Sequence, residues 1–76
     1  MIKVGDIVDH NDTPGVVMKS VGQSTFHVKM LHEHMGMCPT LTCTAGELGE
    51  RFINKLDEQE KSTAIRFLQQ IIDGKE

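Results

Sequence analysis

The chain has 76 residues, a formal net charge of −3, 38% hydrophobic and 25% charged residues, which is ordinary for one small globular domain spanning 1–76. Eight Lys and Arg against eleven Asp and Glu argue against general nucleic-acid binding, and three rings (Phe26, Phe52, Phe67) give single strands little to stack on. No apolar run is long enough to cross a bilayer and no secretory signal is evident, so the expectation is a cytoplasmic, non-membrane protein with reduced thiols at Cys38 and Cys43.

Val4 to Asp9 is predicted as the first strand, with Val4, Ile7 and Val8 as its apolar members. His10 to Gly15 reads as a turn, in which Pro14 sets φ and Gly15 tolerates positive φ. Val16 to Val21 is a β-branched second strand, and Gly22-Gln23-Ser24 folds it into a hairpin with the third. In that third strand, Thr25 to Leu31, Phe26, Val28 and Met30 alternate with His27 and Lys29. His32 to Pro39 is a loop. Thr40 to Ala45 is the fourth strand, with Leu41, Cys43 and Ala45 on one face and Thr40, Thr42 and Thr44 on the other. Gly46 to Gly49 is a turn, and Arg51 to Ile53 a short fifth strand.

The period then changes. Asp57 is the expected N-cap, Glu60 completes a capping box, Glu58 and Glu60 suit the helix dipole, and Gly74 supplies the stop. Ala64, Ile65, Phe67, Leu68, Ile71 and Ile72 fall within an arc of roughly 160°, wider than a minimal amphipathic stripe. The expected fold class is mainly β with a C-terminal helix: strands within 1–54 and an amphipathic helix over 57–73.

Val4-Gly5-Asp6-Ile7-Val8, a Pro-Gly turn and then Gly15-Val16-Val17 resemble the opening of small SH3-like barrels of the Tudor and KOW kind. Glu47-Leu48 resembles the short turn that closes such barrels. The resemblance spans residues 2–53 and implies a five-stranded barrel ahead of the helix. It implies little about function, because small barrels host many. The aromatic cage of methyl-reading Tudor domains and the aromatic groove of SH3 domains have too few rings here, and the basic surface of KOW domains is lacking.

The unusual chemistry lies between His27 and Cys43, which hold His27, His32, His34, Met30, Met35, Met37 and both cysteines. His32, His34, Cys38 and Cys43 are ligand types for zinc, the alternative to an expectation of no cofactor. Their spacing departs from the usual paired Cys and His motifs, and Cys43 alternates with Leu41 and Ala45 as a buried small residue would. Copper at Met35, Met37 and Cys38 follows from ligand softness alone. A Cys38 nucleophile beside His32 or His34 lacks any accompanying signature, so no enzyme is expected.

The favoured expectation is a binding face. With strands three and four antiparallel, His27 and Lys29 stand beside Thr40, Thr42 and Thr44, and the loop carrying His32 and His34 adjoins them. Hydroxyls, imidazoles and one ammonium suit a small anionic or nucleotide-like ligand. On the helix, Ile65, Leu68 and Ile72 are expected to cover the barrel, leaving Phe67 and Ile71 for a homo-oligomer interface. A phage-type accessory protein sequestering a nucleotide immune signal is one concrete form, by analogy. A protein-binding adaptor acting through the Met-containing loop is the other.

Overall fold

The computed structural model describes residues 2–74. Five antiparallel strands form one sheet: β1 (Ile7–His10), β2 (Thr13–Ser20), β3 (Thr25–Met30), β4 (Thr40–Thr44) and β5 (Gly49–Glu50), in the order β4-β3-β2-β1-β5. One helix follows, α1 (Glu58–Asp73). β4 and β5 stand at the two ends of this order without pairing to each other, so the described strands make an open sheet and not a closed barrel. No described helix is long and apolar enough to cross a membrane.

The first reversal differs from expectation. Asn11 and Asp12, at φ 51° and 63°, form a two-residue turn closed by the His10–Thr13 pair. Positive φ at both central positions defines the type I′ hairpin, and Asn and Asp tolerate it best after glycine. Pro14 and Gly15 therefore lie inside β2, opposite Asp9 and Val8. Gly15 is there for close approach: a Cβ would sit 2.7 Å from Val28 Cγ1. The predicted fifth strand at Arg51–Ile53 forms two residues earlier, and Ile53–Lys55 is a 3-10 turn.

Both faces of the sheet bury apolar groups. Val8, Val17, Phe26, Val28, Met30 and Cys43 form one cluster, joined by Leu41, Ala45 and Leu48. Val16, Met18 and Leu31 point to the other face and pack with Leu56, Ala64 and Phe67. α1 thus lies over β2 on that second face.

Local rules set the ends of α1. Asp57 accepts from the Glu60 N–H at 2.7 Å while the Glu60 carboxylate accepts from the Asp57 N–H at 2.9 Å. Gly74, at φ 73°, donates back to the carbonyls of Gln70 and Ile71. The buried line runs through Ala64 and Phe67, with Ile71 and Leu68 beside it. Phe67 is only 2% exposed, so it serves this chain's own core and is not free for a second chain. Ile65 and Ile72, expected to cover the sheet, are 58% and 77% exposed. The hydrophobic arc was wide enough to centre on either line. The largest ring took the position over Val16 and Met18.

Candidate functional site: a cationic shelf beside the helix

The register places the expected wall side by side. His27 pairs with Thr42, Lys29 with Thr40 and Thr25 with Thr44. Directly paired residues of an antiparallel ladder share a face. Because Lys29 also pairs with Val16, this is the face that α1 partly covers. A bulge in β2 adds one residue the pattern did not reveal: after Val17 the register slips, and Lys19 stands opposite His27. Beyond the edge of α1, β2, β3 and β4 thus present Lys19, His27, Lys29, Thr40 and Thr42 as a polar shelf.

The helix supplies the upright of this shelf. Lys29 Nζ sits 4.6 Å from the centroid of the Phe67 ring, and the Arg66 guanidinium carbon sits 5.6 Å from it. Two cations therefore converge on one buried ring, each held by its quadrupole. Lys29, Arg66, Phe67 and Gln70 line a cleft of about 410 Å³ together with Glu33, Gly36, Met37 and Cys38. Among the described residues neither Lys29, Arg66 nor Lys19 forms an ion pair, whereas Lys3, Arg51 and Lys61 are matched with Asp6, Asp9 and Glu58 at 3.4, 2.9 and 3.8 Å. Three of the four described Lys and Arg residues without a carboxylate partner (Lys19, Lys29 and Arg66) stand on this face; the fourth, Lys55, ends the 3-10 turn Ile53–Lys55. Gln70 adds a buried Oε1 with no hydrogen-bond partner, and rotation of that amide would present a donor instead.

Other expected site residues have different employment. The Thr44 hydroxyl and N–H both donate to Glu47 Oε1, at 3.0 and 2.9 Å, ending β4 and opening the 3-10 turn Ala45–Glu47. Thr44 therefore serves a cap and not the shelf. Those bonds hold the Glu47 carboxyl below the usual carboxylate range. His32 Nε2 contacts Glu60 Oε2, tying the end of β3 to the start of α1 and away from the cleft. The Asp57 N–H first, and His32 second, keep the Glu60 carboxyl below its ordinary value.

His34 closes a tight hairpin within the loop: its N–H donates to the Met37 carbonyl at 2.7 Å, and the Met37 N–H returns the bond at 3.1 Å. Met35 and Gly36, at φ 55° and 81°, make this a second type I′ turn. Its side chains are outside the fold, with Met35 90% and Met37 73% exposed.

The four residues of the alternative zinc set, His32, His34, Cys38 and Cys43, are not brought together. Cys43 is buried in the cluster with Phe26 and Val28, where burial and then the Glu47 charge push its thiol pKa up. Cys38 packs on the opposite face, against the Phe67 cluster. His32 is engaged by Glu60, and no group of three or more potential ligands converges among the described residues.

No family model, curated protein or solved structure matches the chain. Arg66 and Lys19 are the shelf residues that sequence reasoning missed. Arg66 reads as an ordinary solvated helix position until Phe67 is known to be buried. Lys19 changes face only through the bulge.

Proposed function

We propose that this chain is a non-catalytic binding protein that holds a small anionic ligand, carrying phosphate or carboxylate, on the shelf between β3 and α1. The observation that carries this reading is the convergence of Lys29 and Arg66 on Phe67 at a 410 Å³ cleft, without a paired carboxylate on either cation. A cleft of this size suits a nucleotide-sized molecule. Glu33 is the one acid lining it, so the cleft stays net positive. Thr40 and Thr42 add hydroxyls, and His27 beside Lys19 adds an imidazole that can donate a hydrogen bond. Phe67 is too buried to serve as a stacking platform, so recognition rests on charge-assisted hydrogen bonds, worth about 1.5–3 kcal/mol each. Holding a nucleotide signal without transforming it is the specific form in which the chain would act as a sponge.

Calorimetry against inorganic phosphate, dicarboxylates and linear and cyclic nucleotides tests the reading. At least one class should saturate. Lys29→Ala and Arg66→Ala should each weaken it about tenfold or more, and added salt should weaken it further. A panel with no saturable member, or equal affinity in the double alanine variant, would refute the proposal.

A second reading rests on a separate observation. Met35 and Met37 present flexible apolar side chains at the tip of a rigid turn, the kind of surface that docks into a protein partner. In that case the chain is an adaptor and the hairpin is its contact.

A further inference from the structure

Glu33 is the cleft residue whose presence the two cations do not explain. It lines the same space of about 410 Å³ as Lys29, Arg66 and Gln70, and its carboxylate has no hydrogen bond or ion pair among the described residues. Its neighbours in the chain hold it there. His32, just before it, is bound through Nε2 to Glu60. His34, just after it, is paired with Met37 through two backbone hydrogen bonds. Arg66 stays on the Phe67 ring, at 5.6 Å, and so lines the cleft without neutralising Glu33. The cleft thus has cations over Phe67 and a bare carboxylate on the loop that borders it. A ligand that was only an anion would meet repulsion from Glu33. A ligand carrying an anionic group and hydrogen-bond donors satisfies both.

We propose that the ligand is a guanine nucleotide, its phosphate on Lys29 and Arg66 and its base edge on Glu33; this rests on the shelf being an anion site. Size and donor pattern select it. A free amino acid carries both kinds of group but fills only a small part of a cleft of about 410 Å³, which suits a nucleotide. An ionised carboxylate only accepts, through two oxygens side by side. Among the common bases, guanine alone presents two adjacent donors on its pairing edge, N1–H and the N2 amino group. Adenine sets an acceptor, N1, beside its N6 amino group, and cytosine does the same with N3 and N4. Uracil has one N–H between two carbonyls. Each of these leaves a carboxylate oxygen unmatched or turns a lone pair toward it. Guanine O6, next to N1–H, needs a donor of its own. The Gln70 amide, whose buried Oε1 has no partner, is the neutral group in the cleft that provides one on rotation.

An exposed acid is ordinarily a solvated charge, and as such Glu33 would act on every phosphate ligand alike. Hydrogen-bond pairing acts on guanine and adenine in opposite directions, and that difference separates the two roles.

Calorimetry with the whole chain against guanosine, inosine and adenosine monophosphates and inorganic phosphate decides it. The guanosine nucleotide should bind about tenfold or more tighter than the adenosine one. The inosine nucleotide, which keeps N1–H but lacks the 2-amino group, should fall between them. Glu33→Gln, at an exposed position without bonds, should leave the circular dichroism spectrum unchanged. It should weaken the guanosine nucleotide about tenfold, because an amide keeps one acceptor oxygen. It should tighten the adenosine nucleotide, because an amide pairs with adenine through one donor and one acceptor. Inorganic phosphate should bind the variant no more weakly than the parent. Equal affinity for the guanosine and adenosine nucleotides overturns the guanine assignment, as does a Glu33→Gln variant that strengthens all three nucleotides alike. In either case, saturable binding that Lys29→Ala abolishes keeps the anion site itself. If no member of the panel binds, both readings fall.

Discussion

Met35 is the residue most at odds with its own surroundings. It holds φ 55° at a position where Asn or Gly is the usual choice, and it leaves an apolar side chain in water. Left-handed backbone costs an ordinary residue about 1–2 kcal/mol. Met35→Asn should therefore stabilise the chain by about 0.5–1 kcal/mol in urea titration. Its affinity for an anion on the shelf should be unchanged, while docking of a protein partner through the hairpin should be lost. A variant less stable than the parent would show that the methionine makes a stabilising contact. Phe67 is the opposite case. Its ring closes the core and holds Lys29 and Arg66 in place, so a packing residue also orients the cations of the site.

At the scale of elements, the start of α1 does two jobs through one carboxylate. Glu60 caps the Asp57 N–H and holds His32 from the end of β3. Its folded pKa is depressed, so the stability it contributes is present above the ordinary carboxylate range and lost as pH falls through the depressed value. The thermal midpoint should hold from neutrality to about pH 5 and decline below about pH 4, and Glu60→Gln should flatten part of that decline. An unchanged acid limb in the variant would show that other carboxylates carry it. The same helix shows what was legible in advance. Asp57, Glu60 and Gly74 act within a few residues of chain, and local spacing marked both ends. The alternation of Phe26, Val28 and Met30 likewise placed β3, because period two is a local property. Which side of the apolar arc is buried was not local: it depends on Val16 and Met18, about fifty residues away. The turn at Asn11-Asp12 was masked by Pro14-Gly15, whose glycine serves close packing against Val28.

For the whole molecule, the sheet is a partition with a core on each side, and its chemistry is sorted accordingly. Lys29 and Arg66, two cations without partners, border one flank of α1 and bare isoleucines border the other. The shelf exists only because β2, β3 and α1 meet, which is why single residues foretold its threonines and Lys29 but not Arg66. The same partition separates the two thiols, Cys38 on the helix side and Cys43 buried in the core cluster of the other face. They cannot reach each other in the native fold. An alkylating dye should consequently modify a single sulfur quickly, with the second reacting only as fast as the domain opens. The protein thus contains its own clock for global unfolding, readable by mass spectrometry. Two equally fast labelling events would show that the wall between the cores is far looser than drawn.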